Sequence, residues 1–421
     1  MIRPMPPRGR ARLPWDAAVP DPVAAIAADR ADLGDTFAIE SGAMTYLFVF
    51  SPDGVRAFYD LPETAASKGI ADMRMLGRKV PADLFFDRRT IPHDMFTRDL
   101  ADAYLGQVAW ALDTEVGMLG DAGEVDVFDL TRRLGHRFGL ASWGGPGAAA
   151  GATFAALVDA LDRLDASAAF VTPELAAEIA ANDHADERAA LDEIAELYGG
   201  IVEVHVADPR PGMFATIVDR WAGAPQRVRG IAHDVALVHL GSMSNLFAAV
   251  GWSIVHLVQR PAIAAAVAGG DRARAERCAL ESTRLAQRSI MLREVLTPTE
   301  IDVDGITYSL DPGATVATLL PLTNTSAAPG LDRYDPERWN GRRLGEHADL
   351  AARELVTVFG HGSHTCPAQP FSPRVMVDTL VRLFAEFELT LVDPDPRPRR
   401  GQIGGVARSE APCRVAYRSR P

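Results

Sequence analysis

The run from Val235 to Val258, the most apolar long stretch in the chain, limits what the chain can fold into more than any other feature. It reads as one long helix from about Ile231 to Arg260, ended by Pro261. His239, Ser242, Ser244, Asn245 and His256 lie along it, a polar load that a lipid-facing helix does not readily accept. The expectation is a buried central helix in a large soluble protein. The 421 residues, 48% of them hydrophobic, can fill such a core.

The segments around it read mainly as helix. Residues 1–34 are rich in Pro, Arg and Ala, without the apolar core of a signal peptide or membrane anchor, and are expected to wrap the surface. Asp35 to Phe50 suggests two strands around a Ser-Gly turn, followed by a helix with Ser51 or Asp53 near its N-cap. Further helices are expected over 98–120, 126–142, the Ala-rich acidic stretch 146–200, and 272–287. Beyond Arg293, β-branched residues with Asp-Gly and Pro-Gly turns predict short strands and hairpins, then a loop, a last helix and a closing strand pair. No repeat and no linker divides the chain, so 1–421 is read as one mainly α domain with a small β portion.

Charge and cysteine usage narrow the function classes. A net charge of −13 argues against a general nucleic-acid binder, though a local basic patch remains compatible with it. Cys278, Cys366 and Cys413 are too few and too far apart for a disulfide framework, which fits a reducing cytoplasm. The run GGPGAAAGA at 144–152 lacks the Lys-Ser/Thr of a phosphate cradle and is read as a loop.

Chemistry concentrates in Phe359-Gly-His-Gly-Ser-His-Thr-Cys366-Pro-Ala368. Here a soft ligand stands in a Gly-rich turn ahead of a helix, where donors from the turn and helix are expected to lower the thiol pKa. Gly360 and Gly362 let a flat macrocycle approach the backbone closely. A cysteine with no such surroundings is usually an inert core residue. His361, His364 and Cys366 also suggest zinc, but no fourth ligand stands at structural-zinc spacing.

The segment resembles the haem-binding loop of cytochromes P-450: Phe, Gly, any, Gly, any, His or Arg, any, Cys, any, Gly or Ala. The resemblance implies haem b with Cys366 as axial thiolate, His364 on a propionate, and Phe359 and Gly360 packed beneath the ring. Three features in the family's order support it. Glu281-Ser-Thr-Arg284 matches the Glu-x-x-Arg pair, and Asp335-Pro-Glu-Arg338-Trp resembles the later element whose arginine completes a structural triad. Arg293 stands where a propionate-binding arginine is common, and His93 and Arg98 are candidates for further propionate contacts. The family's fold would be a triangular helical prism, with haem between the distal helix 231–260 and the proximal side, whose thiolate loop is 359–368.

The chain departs from the family on the distal helix. Gly241-Ser-Met-Ser244-Asn245 occupies the place of the usual Ala/Gly, Gly, any, acid, Thr pattern, so the acid–alcohol pair that delivers protons is missing. Ser244 and Asn245 can hold ordered water without being acids, and His239 lies one turn away; the alternative is that they only cap hydrogen bonds at a helix kink. The branch that acts on sterols, bile acids and prostaglandin-like lipids also carries Asn there, which implies a bulky lipophilic substrate. On the proximal side Ala368 replaces the usual Gly, and Pro370 and Pro373 delay the next helix, with Ser372 as its expected N-cap. Arg342, Arg343, Arg353 and Arg374 are candidates for a basic patch that docks an acidic ferredoxin.

The resulting expectation is a cytoplasmic monooxygenase that puts one oxygen atom into a hydrophobic small molecule, sterol- or terpenoid-like or a natural-product intermediate. Electrons would come from a separate ferredoxin and ferredoxin reductase. Two alternatives stay open: a haem-thiolate enzyme of rearrangement, dehydration or peroxide-driven oxidation, and a haem-binding protein without catalysis.

Overall fold

Local side chains set many of the element boundaries. Ser51, Ser67, Asp126 and Asp271 each accept a backbone N–H from the first turn of the helix that follows, satisfying a donor that has no partner within the helix. A computed structural model describes residues 5–85, 88–165, 168, 172–341 and 350–421. Its first helices are α1 (Pro22–Leu33), α2 (Pro52–Asp60), α3 (Lys68–Leu76), α4 (Pro92–Met95), α5 (Ala101–Gly117), α6 (Val127–Trp143) and α7 (Gly151–Leu164). Then follow α8 (Pro173–Ala181), α9 (Ala185–Ala207), α10 (Met213–Arg220), α11 (Arg227–Val258), α12 (Pro261–Ala268), α13 (Arg272–Ala286), α14 (Leu320–Ser326) and α15 (Ser372–Glu386).

The strands are β1 (Thr36–Ser41), β2 (Met44–Val49), β3 (Ala66–Ser67), β4 (Ala122–Asp126), β5 (Ile290–Val295), β6 (Thr299–Val303), β7 (Ile306–Leu310), β8 (Thr315–Leu319), β9 (Phe387–Leu391) and β10 (Arg414–Ser419). They form a five-stranded sheet in the order β1-β2-β8-β5-β3, a three-stranded sheet β4-β10-β9 and the hairpin β6-β7. Asp304 and Gly305, both at positive φ, make the two-residue turn of that hairpin. The mainly helical architecture with a small β portion is the one expected.

At the centre runs α11, with α6, α9, α13 and α15 packed around it. Two glycines let α6 come close: a Cβ on Gly135 would sit 2.1 Å from the Phe247 ring, and one on Gly139 would sit 2.8 Å from the His239 ring. Helix α11 is long and apolar enough to cross a membrane, but most of its apolar stretch is buried inside the protein.

Three expectations need correction. The N-terminal segment does not simply wrap the surface. Gly9 donates to the Ala38 carbonyl beside β1, and Leu13, Trp15 and Ile26 are buried under the large sheet. The last strands are three, because β10 also pairs with β4, a short polar strand from far back in the chain. Finally, α15 does start late, but Phe371 holds the N-cap position without a side-chain bond, and Ser372 and Pro373 lie inside the first turn.

Candidate active site

Cys366 differs from the other two cysteines. Cys278 and Cys413 are fully buried in the main core, whereas Cys366 is only partly buried. Its backbone N–H donates to the Phe359 carbonyl at 2.7 Å, which closes the loop on itself. Gly360 and Gly362 both take positive φ, and a Cβ on Gly360 would meet the His364 carbonyl at 2.7 Å. The N–H groups of Ala368 and Gln369 are directed at the sulfur. Contrary to expectation the thiol pKa is raised, because burial outweighs those donors; a stable thiolate here needs a cation. Among the described residues no group of three or more His, Cys, Asp or Glu side chains converges to hold a metal, so the zinc alternative is not assembled.

Behind this loop the Glu281–Arg284 pair is wholly buried, not the solvated surface pair that such spacing usually gives. Arg284 donates to both Glu281 oxygens at 2.8 and 2.7 Å. Glu281 also accepts from the Asp335 N–H at 3.1 Å and the Trp339 indole at 2.6 Å, with the Arg338 guanidinium 3.5 Å away. Sequence reasoning missed what joins this cluster to the cysteine loop. Arg284 donates to the Asn324 carbonyl, and the Asn324 side chain pairs with the backbone of Thr357 through bonds of 2.8 and 2.9 Å. The Thr357 hydroxyl then accepts the N–H groups of Phe359 and Gly360. Asn324 and Thr357 carry no motif signal; only their burial marks them.

Arg293 and His364 come together, with an acid between them that sequence reasoning also missed. Arg293, fully buried, donates to the carbonyls of Ala66 and Phe58 and, at 2.8 Å, to Nε2 of His364. Glu63 lies 3.1 Å from His364 and 3.4 Å from Arg293, and itself accepts from Ser67. Burial and the Arg293 charge hold His364 below its usual pKa, so its Nε2 accepts from Arg293. Arg293 thus braces His364. His93 and Arg98 lie exposed at the start of α4 and just ahead of α5. Of the candidate basic patch, Arg374 is exposed, Arg353 is paired with Glu354, and Arg342 and Arg343 lie outside the described residues.

The distal helix has a gap in its burial. Between Gly230 and Val255 only Leu237, Gly241, Ser242, Ser244 and Asn245 are not buried, and Gly241 and Asn245 are exposed. Positions 237, 241 and 245 share one helix face. A Cβ added to Gly241 meets nothing within 4 Å, so this strip faces open space in the most buried helix of the molecule. Asn245 does not cap a helix kink: its Oδ1 accepts the Val406 N–H at 2.9 Å. His239, on the opposite face, stacks on His136 with a nitrogen–nitrogen distance of 2.9 Å. Burial keeps His239 well below its ordinary pKa.

No family model matches the chain. Among solved structures, the retinoic-acid-bound cyanobacterial CYP120A1 matches over 99% of this chain and 100% of its own, with a TM-score of 0.75 at 16% identity. Human 24-hydroxycholesterol 7-alpha-hydroxylase is 25% identical over 203 residues, 42% of this chain. The chain has the cytochrome P-450 fold. The mouse 24-hydroxycholesterol 7-alpha-hydroxylase is 26% identical over 146 residues. The matched part spans 42% of the human relative's own length and 29% of the mouse one's.

The P-450 fold implies haem, and the residues here fit it. The sulfur of Cys366 is a single soft donor that the loop leaves partly accessible, with two N–H groups to temper its charge. The open strip on α11 offers small and polar side chains instead of a packed helix partner. Arg293 is the buried cation of this corner, and the more accessible His364 offers its other ring nitrogen as a donor to a carboxylate.

Proposed function

We propose that the chain is a haem-thiolate monooxygenase that inserts one oxygen atom from O2 into a hydrophobic small molecule. The observation that carries this is the Phe359–Ala368 loop, which holds one partly accessible cysteine sulfur against the N–H groups of Ala368 and Gln369. Cys366 would hold the iron of haem b through its sulfur, and bound haem would supply the redox chemistry. His364, braced by Arg293, would bind a propionate. Phe359 and Gly360 would help hold the group, and Glu281, Arg284 and Arg338 would hold the loop in shape. The strip at Gly241, Ser244 and Asn245 would line the reaction space, with the Ser244 hydroxyl positioning water.

Likeness to an oxysterol hydroxylase and to a retinoic-acid-bound protein supports a sterol- or terpenoid-sized lipophile as substrate. Electrons would come from a ferredoxin and its reductase in the cytoplasm, with exposed Arg374 on the docking side. A second reading, peroxide-driven oxidation or rearrangement, is favoured by one observation: Asn245 Oδ1 is already engaged by Val406, so the usual alcohol position has no free relay oxygen.

The test is a carbon-monoxide difference spectrum of reduced protein. Wild type should give the thiolate-type band, and Cys366→Ala should lose it entirely while staying folded. Protein that binds no haem, or whose band survives Cys366→Ala, ends the proposal. Turnover with peroxide alone, matched against O2 plus ferredoxin and reductase, decides between the two readings.

A further inference from the structure

The turn at 402–408 meets the distal helix at two polar points, the Trp252 indole and the Asn245 side chain. Five of its seven amides have a backbone or side-chain acceptor. Gly404 donates to the Arg288 carbonyl and Ala407 to the Ala286 carbonyl, both at 2.8 Å, and Arg408 donates to the Gln402 side chain at 2.9 Å. The Trp252 indole on α11 donates to the Ala407 carbonyl at 2.7 Å. The amide of Val406 turns instead to Asn245 Oδ1, 161 residues away along the chain and in the middle of the open strip. Gly405 makes that approach possible: its φ is +63°, and a Cβ there would lie 2.4 Å from Asn245 Oδ1. This bond also fixes the amide's orientation, because only the oxygen of Asn245 can accept from an N–H. Among the described residues the Nδ2 group has no hydrogen-bond partner, on a residue that is exposed.

We infer that Asn245 is a specificity-determining positioning residue, whose bond to Val406 holds the 402–408 turn as a wall of the substrate space. The inference rests on the proposed function for its ligand. It explains why an amide suits this position. The acceptor oxygen ties the turn to α11 at the open strip, beyond the anchors at the α13–β5 junction and the Trp252 indole, and the nitrogen remains for the cavity. With Trp252 holding the Ala407 end, the wall's distance from the strip at Val406, and so the breadth of lipophile that fits, depends on this contact.

The experiment uses haem-loaded protein and two probes of different breadth, retinoic acid and 24-hydroxycholesterol, read by the iron spin-state shift, together with hydrogen exchange at the Val406 amide. Asn245→Ala and Gly405→Ala should each speed Val406 exchange and change the ratio of the two dissociation constants in the same direction. The change should be roughly three- to tenfold, the worth of one net hydrogen bond. The double variant should go little further, because both break one contact. Asn245→Asp keeps an acceptor and should restore protection and ratio. Unchanged exchange in Asn245→Ala, an Asp variant that behaves like Ala, or additive shifts would overturn the inference. If Gly405→Ala does not fold, the contrast between Asn245→Ala and Asn245→Asp still decides. A wild type that loads haem yet responds to neither probe counts against the proposed substrate class, while Val406 exchange still judges the tether.

Discussion

The surroundings of Glu281 and the open strip of α11 treat polar groups in opposite ways. Around Glu281 both carboxylate oxygens, the Arg284 guanidinium, the Trp339 indole and the Asp335 amide are mutually satisfied in a region without solvent. On the strip, the Ser244 hydroxyl and Asn245 Nδ2 have no partner among the described residues, on a helix that is otherwise buried. An unpaired buried polar group costs free energy, so the first arrangement fixes a shape. The second carries no such cost, because Asn245 is exposed and Ser244 partly exposed to open space. Scaffold and open strip can thus be separated by their hydrogen bonds.

The contrast can be broken most sharply at Glu281. Glu281→Ala leaves a buried guanidinium without its counter-charge, and should cost about 3–5 kcal/mol in denaturant unfolding along with most of the haem-loaded protein. A loss below about 1 kcal/mol would place the cluster with ordinary surface pairs.

A second measurement concerns the buried end of α11. Burial, with Arg260 nearby, holds His256 down to about 3, while the unfolded chain titrates near the ordinary histidine value of about 6.5. The unfolded state therefore binds a proton that the native state refuses. His256 lowers stability as pH falls through that window and has no such effect above it. Replacing it with glutamine should flatten the acid limb of the stability–pH curve by an amount on the order of a few kcal/mol, with neutral pH as the reference. Parallel curves for the two proteins would count against a neutral, buried His256.

Two glycines sharpen the comparison at smaller cost. Gly135→Ala drives a methyl into the Phe247 ring and should destabilise by about 1–3 kcal/mol. Gly241→Ala meets open space in the middle of a helix, so it should stabilise by roughly 0.5–1 kcal/mol while narrowing the ligand space. Thermal unfolding of both variants, with probe binding for the second, checks the pair. Equal destabilisation would mean that the strip at Gly241 is packed.

How much of this was legible in the sequence depends on how far apart the interacting residues lie. Helical spacing, caps and turn residues are local, so α11, the Asp304-Gly305 hairpin and the late start of α15 could be read from short windows. The Phe359–Ala368 loop was legible for the same reason: the glycines that shape it and the cysteine it presents are neighbours. Glu281 and Arg284 were legible as a pair because one helix turn joins them, but not as buried, since burial depends on what packs over them.

Only the tertiary structure decided the partners that come from elsewhere in the chain. Asn324 bridges Arg284 to Thr357, Glu63 lies between Arg293 and His364, and Val406 meets Asn245. None of these pairs has a fixed spacing, because packing of helices and turns sets them. A buried polar atom takes whichever partner the fold brings within about 3 Å.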